Sequence, residues 1–261
     1  HSLQGQHFAT DEWYEEMDNL DDFTYYYGFV ALMEAQADYV EGKYLLGFDT
    51  YDRQDYISQI PNIQCRVSLP SYFYIPAELY DEFGPILADQ IIKNGKMEAL
   101  NSALFGYINN GLNTLPTSEQ IYDPARFFID ERYEELTSKT IELDNYILID
   151  EGSFGALDLV YLMQDKIGQT NAINAAVGIG GGSWKDYEDS SGNLLMTLKL
   201  TGDDKNELQE IYEAFTLWAN AQSRFSSSEP YLNGSLFKGS TNFWIYSDQS
   251  FIRIVLSQDL E

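Results

Sequence analysis

The chain is 261 residues long and carries 15 Lys and Arg against 42 Asp and Glu, a formal net charge of −27. Charge of that sign and size repels phosphate backbones and anionic lipid headgroups, which argues against nucleic-acid and membrane partners and fits a secreted or salt-exposed protein. A content of 44% hydrophobic residues is ordinary for one large globular domain over 1–261, helical to about 138 and sheet-containing from about 139. No apolar run approaches the roughly 18 residues that span a bilayer, and Cys65, the single cysteine, has no disulfide partner within the chain.

The first residues, His1-Ser2-Leu3-Gln4-Gly5-Gln6-His7-Phe8, read as the second half of a His-Glu-x-x-His helix. In that motif the four-residue step places both imidazoles on one helix face, with the Glu beside the metal-bound water. Only the final His stands in this chain, so the expectation is that an upstream segment supplied the other His and the Glu. An apolar stripe through Phe23, Tyr26, Tyr27, Val30 and Ala31 then predicts a helix over 21–39, capped by Asp21 or Asp22. Glu34 falls on or beside the buried face of that helix, where a carboxylate is costly unless paired or metal-bound. Asp38 follows one turn on. His1 and Glu34 are therefore candidate Zn2+ ligands, with Asp38 orienting a ligand from behind. His7 is off the four-residue step and is read as a packed or capping histidine.

Further helices are predicted over 77–94 and 96–109, joined into a hairpin through Gly95, which suits a left-handed helix end. Downstream, Thr117 and Gln120 form a capping box, and Asp123 before Pro124 is an N-cap with proline in the first helical position. Together they make a well-capped connector of two short helical turns. The pattern turns to β near Ile141, with a buried strand over 146–149 and a helix over 153–166. Asp150 and Glu151 then occupy the strand-to-helix corner; Glu151 is a further candidate site residue, although acids at a helix N-terminus are also stabilised by its dipole. A short helix over 171–177 leads to the glycine run 178–184, which lacks the Gly-Lys-[Ser/Thr] ending of a phosphate loop and is read as a loop into a hairpin. Strands over 184–187 and 194–200 flank turn residues 190–193. A helix capped by Asp203 or Asp204 runs to about 221 with Leu208, Ile211, Tyr212, Phe215 and Trp218 inward, and strands over 242–246 and 251–256 close an antiparallel sheet. The predicted class is α+β, helices first and a mixed helical and antiparallel-sheet region after.

Leu3 to Phe8, Ala31-Leu32-Met33-Glu34-Ala35-Gln36-Ala37-Asp38, Pro116-Thr117-Ser118-Glu119-Gln120 with Pro124, Glu151, and Ala175-Ala176-Val177-Gly178-Ile179-Gly180-Gly181 follow one another in this order. The series resembles a group of uncharacterised, mostly secreted, gluzincin-like proteins of bacteria and archaea. In that group a His-Glu-x-x-His helix runs on as Leu-Gln-Asp-Gln-His-Phe and an Ala-Leu-x-Glu-Gly-Asp-Ala segment follows. The resemblance implies a zincin-like remnant with metallopeptidase ancestry, Zn2+ held by His1 and Glu34, a peptide or protein substrate, and an extracellular or cell-surface location. Gly5 and Gly182 stand where the group usually has Asp, and Ala35-Gln36 replace Gly-Asp, so polar contacts near the site are expected to be eroded. Without the general-base Glu, this chain by itself is not expected to activate water.

Three functions follow from these residues. The chain is the larger part of a secreted zinc metallopeptidase-like protein, catalytically incomplete as it stands. Alternatively it is a processed, inactive relative with an extracellular structural role, forming a homo-oligomer or filament through the aromatic surface that 20 Tyr suggest. A carbohydrate-directed role for paired acids and the four Trp is the weakest, since 42 acids supply some pair anywhere. No Gly-x-Ser-x-Gly elbow supports a serine hydrolase.

Overall fold

The computed structural model describes residues 4–6, 23–59, 75–106, 114–134, 136 and 145–258. His1, His7, Cys65, the predicted caps Asp21 and Asp22, the end of the helix predicted to 109, and Ile141 lie outside them. The protein is α+β: N-terminal helices are followed by mixed helices and a seven-stranded antiparallel sheet.

The helical part begins with a turn at residues 4–6, then α1 (Phe23–Leu46), α2 (Thr50–Gln59) and α3 (Ile75–Glu78). A π-turn, Leu79–Phe83, joins α3 to α4 (Gly84–Phe105), and α5 (Ser118–Tyr122) and α6 (Pro124–Phe128) follow. The centre of α1 buries Phe29, Val30, Ala31, Leu32, Met33 and Ala35. Successive residues point all round a helix, so α1 is a central helix rather than the one-sided helix its stripe predicts. It also runs on past 39 to Leu46, with Lys43 in the last turn complementing the helix dipole. Two close approaches fix its neighbours: a Cβ on Gly28 would stand 1.9 Å from the Pro116 carbonyl oxygen, and one on Gly84 would stand 2.5 Å from that of Ala31.

The π-turn has a local cause. Pro85 lacks the N–H that would bond the Asp81 carbonyl in an α-helix, and the Gly84 N–H donates to Leu79, five residues back. Such turns recur at functional sites. The break expected at Gly95 is present, but the positive φ of 59° falls on Lys96 while Gly95 has φ −147°. Both caps of the connector form as predicted: Gln120 N–H donates to Thr117 Oγ1 at 3.3 Å, Thr117 N–H to Gln120 Oε1 at 3.1 Å, and Ala125 N–H to Asp123 Oδ1 at 3.1 Å.

The second part runs β1 (Tyr146–Ser153), α7 (Ala156–Ile167), α8 (Gln169–Ala176), β2 (Ile179–Asp189), β3 (Leu194–Gly202), α9 (Lys205–Ala221), β4 (Phe225–Tyr231), β5 (Gly234–Gly239), β6 (Asn242–Ser247) and β7 (Ile252–Ser257). The sheet order is β1-β2-β3-β7-β6-β5-β4. The strand predicted over 146–149 is not buried: β1 is an edge strand, longer than predicted, and exposes Ile147 and Ile149. Asp150 and Glu151 therefore lie within a strand and not at a helix start. The glycine run is also strand, the opening of β2, where a Cβ on Gly181 would stand 2.1 Å from the Glu134 carbonyl oxygen and one on Gly182 would stand 2.4 Å from that of Phe154. A side chain at position 182 would collide with that carbonyl and with the Leu200 side chain.

Asp204 caps α9, accepting from the N–H groups of Asn206 at 2.6 Å and Glu207 at 3.0 Å. The helix buries Leu208, Ile211, Phe215 and Trp218, whereas Tyr212 is half-buried. Trp218 and Phe215 pack on Phe243 of β6 at ring distances of 5.4 and 6.4 Å. Each such side chain contributes about 1.5–3 kcal/mol on burial. A single hydrophobic cluster extends from Phe29 of α1 through α7 and α9 to Ile254 of β7.

Candidate functional site

Glu34 is half-buried on α1, and Asp38 lies one turn on at the surface. Burial first, and then the charges of Asp38 and Asp81, raise the Glu34 carboxyl above its usual range. Asp38 is raised by burial, Glu41 and Asp81. Asp81 comes from the π-turn, so α1 and the π-turn bring three acids into one electrostatic group. Among the described residues no set of three or more His, Cys, Asp and Glu has the geometry to hold a metal. The described side chains thus supply carboxylate character at Glu34, while His1 lies outside them.

Beside Glu34, the motif segment is anchored. The buried Gln4 side chain donates through Nε2 to the Met33 carbonyl at 2.9 Å and to Gln36 Oε1 at 2.9 Å, and Gln36 Nε2 donates to Asn101 Oδ1 of α4 at 2.7 Å. This buried amide relay straddles Glu34 in sequence. The expectation that Gln36 marks eroded contacts is corrected: its amide joins three segments. Buried amides are expensive unless bonded, and the repeated Gln in Leu3 to Phe8 is the signal that could have revealed the relay.

Glu151 stands apart from this group. It is on β1, opposite Lys185 of β2, and its carboxylate pairs with the nearly buried Lys185 ammonium. Glu151 is not among the charges that shift Glu34.

A second acidic constellation was not anticipated from the sequence. Arg126 of α6 meets Glu131 at 2.8 Å and Glu119 at 3.5 Å through Nη1, holds Asp203 and Glu207, and has Asp123 3.5 Å from Nε, an ion pair by distance without a hydrogen bond. Glu119 is 5% exposed, and its Oε1 accepts no hydrogen bond from the described residues. Burial, then Asp203, push its carboxyl up to about 10 despite Arg126. Asp203 is raised to about 6 by burial and Glu131, again against Arg126. Burial works to lower Arg126, but Glu207 and the other carboxylates hold it above its ordinary range. The capping box fixes Glu119 one residue before Gln120, and the Asp204 cap fixes Asp203 and Glu207. No sequence spacing announces that these two well-capped segments meet.

A cleft of about 570 Å³ lies between the sheet and helices α7 and α9. Its residues include Tyr161, Trp184, Asp186, Phe215, Trp218 and Arg224. Asp186 Oδ1 and Trp218 Nε1 are buried without a hydrogen-bond partner among the described residues. No helix among the described residues is long and apolar enough to cross a membrane.

Comparison with protein-family models, with curated proteins and with solved structures finds no match to this chain.

Proposed function

We propose that the helical part is a zincin-like remnant of gluzincin type, and that the chain is the larger part of a secreted zinc metallopeptidase-like protein, catalytically incomplete by itself. The supporting observation is the Gln4–Gln36–Asn101 relay: it packs the segment that follows His1 onto α1 at the residues flanking Glu34. Glu34 fits a cation ligand, because a half-buried carboxyl crowded by Asp38 and Asp81 gains from a bound positive charge. His1 and Glu34 would hold Zn2+, and Asp38 would orient a ligand from behind. Bound zinc would supply Lewis-acid polarisation of a scissile carbonyl of a peptide or protein substrate. The chain's own contribution would be to hold the ligands.

Metal analysis and N-terminal sequencing of the protein from its natural source test this. Stoichiometric zinc, an upstream His-Glu, and loss of zinc in Glu34→Ala are expected; zinc retained in that variant would remove Glu34 from the site. One observation favours the second reading, an extracellular self-assembling protein: the edge strand β1 presents Ile147 at 69% and Ile149 at 48% exposure, and such edges template strand pairing with another chain. A mature protein without metal that sediments as ordered polymers would select it.

A further inference from the structure

The cleft over the sheet has a floor made of two cross-strand rows. Asp186, Met196, Leu256 and Phe243 are consecutive partners across β2, β3, β7 and β6, and Trp184, Leu198, Ile254 and Ile245 form the adjoining row. Tyr161 and Leu162 of α7 and Phe215 and Trp218 of α9 line it from above. A volume of about 570 Å³ is in the range of small-ligand sites.

Its charged groups are Asp158, Asp186 and Arg224, and Asp186 and Arg224 stand at opposite ends. At the β2 end, Asp186 pairs directly opposite Asp150 of β1, a like-charge juxtaposition that destabilises a sheet, and Asp186 Oδ1 is buried without a partner among the described residues. Burial and Asp150 raise its carboxyl above the usual range. At the β6 end, the Arg224 guanidinium lies 5.3 Å from the Trp218 ring and 5.1 Å from that of Phe225, and Phe225 packs 5.9 Å from Phe243. Burial alone lowers Arg224, and no carboxylate pairs with it among the described residues. Trp218, 4% exposed, keeps an Nε1–H donor without an acceptor among the described residues. In a chain of net charge −27, a desolvated arginine beside an unused indole donor is a place for an anionic group from outside.

From Asp186 to Phe243 there are three inter-strand steps, about 14 Å at the usual spacing of about 4.8 Å. An extended peptide of four residues spans about 13 Å. We propose that the cleft binds a short apolar peptide with free termini, its ammonium at Asp186, its carboxylate at Arg224 and the Trp218 indole, and its side chains among the aromatic walls. The cleft and Glu34 are built from different elements, so this peptide site stands without the zinc site.

Titration of the full chain with the tetrapeptide Ala-Leu-Leu-Ala, followed by calorimetry and tryptophan fluorescence, tests the assignment. The free peptide is expected to bind, and N-acetylation or C-amidation is each expected to weaken binding by about tenfold, the loss of one charge-assisted contact. Asp186→Asn should abolish the penalty of acetylation only, and Arg224→Met that of amidation only. Equal affinity for free and doubly capped peptides, equal binding of dodecanoate, or no binding of the free peptide would overturn the proposal, and these three comparisons use the unaltered protein.

Discussion

At Arg126 one guanidinium gathers carboxylates from α5, α6, the segment after α6 and the start of α9, whereas at Glu34 the side chains that press on the carboxyl are themselves acids, Asp38 and Asp81. Both regions bring acids together on well-formed elements in an acidic chain. The first is answered by a cation from within the sequence and ties the helical connector to the sheet. In the second, Asp38 and Asp81 add negative charge beside Glu34, and the buried amides of Gln4 and Gln36 hold α1 by hydrogen bonds. The difference teaches that clustering of acids does not itself mark a site: at Arg126 the fold supplies the counter-charge that makes the cluster structural.

The strongest way to break the contrast is to remove the guanidinium. Arg126→Met leaves buried carboxylates facing one another and is expected to lower the unfolding free energy by about 3–5 kcal/mol in urea denaturation; a loss below about 1 kcal/mol would remove the cluster's structural role. Glu119→Gln acts in the opposite direction. The Glu119 carboxyl is raised from 4.5 to about 10, so its favourable contribution is complete below pH 4.5 and is lost as pH rises towards 10. Asp203, raised from 3.8 to about 6, has the same sign over its own window. At pH 7, Glu119→Gln is expected to stabilise by about 2–3 kcal/mol and to flatten the stability profile above pH 5, read from denaturation curves at several pH values. An unchanged slope would contradict the assignment. At the other region, Gln36→Leu leaves the Gln4 amide and Asn101 Oδ1 short of a partner and is expected to cost about 1–3 kcal/mol. A change within about 0.5 kcal/mol would show that the relay does not hold α1.

Local chemistry was legible where a side chain acts on its own backbone. The Thr117 capping box, the Asp123 cap before Pro124, a cap of α9 at Asp203 or Asp204 and the β2–β3 hairpin could all be read from spacing, because each is decided within a few residues. The β4–β5 hairpin was not read. Its strand carries Ser226-Ser227-Ser228-Glu229-Pro230 with no apolar alternation, and its two-residue turn uses Leu232 and Asn233, both at positive φ of 45° and 62°, instead of a glycine. The glycine run from 178 was misread for a related reason: glycine signals a turn locally, but here it admits the carbonyls of Glu134 and Phe154, which only tertiary structure supplies. Glu34 was legible as a buried-face acid, while its neighbour Asp81 was not, since the π-turn that presents it depends on Pro85.

The most direct test of the contrast is the zinc-induced shift of the thermal unfolding midpoint in the full natural protein, compared among wild type, Glu34→Ala and Glu119→Gln. Wild type and Glu119→Gln should shift upward alike and Glu34→Ala should not move, because ligand binding stabilises only a fold that keeps its site. A shift preserved in Glu34→Ala, or lost in Glu119→Gln, would contradict the account.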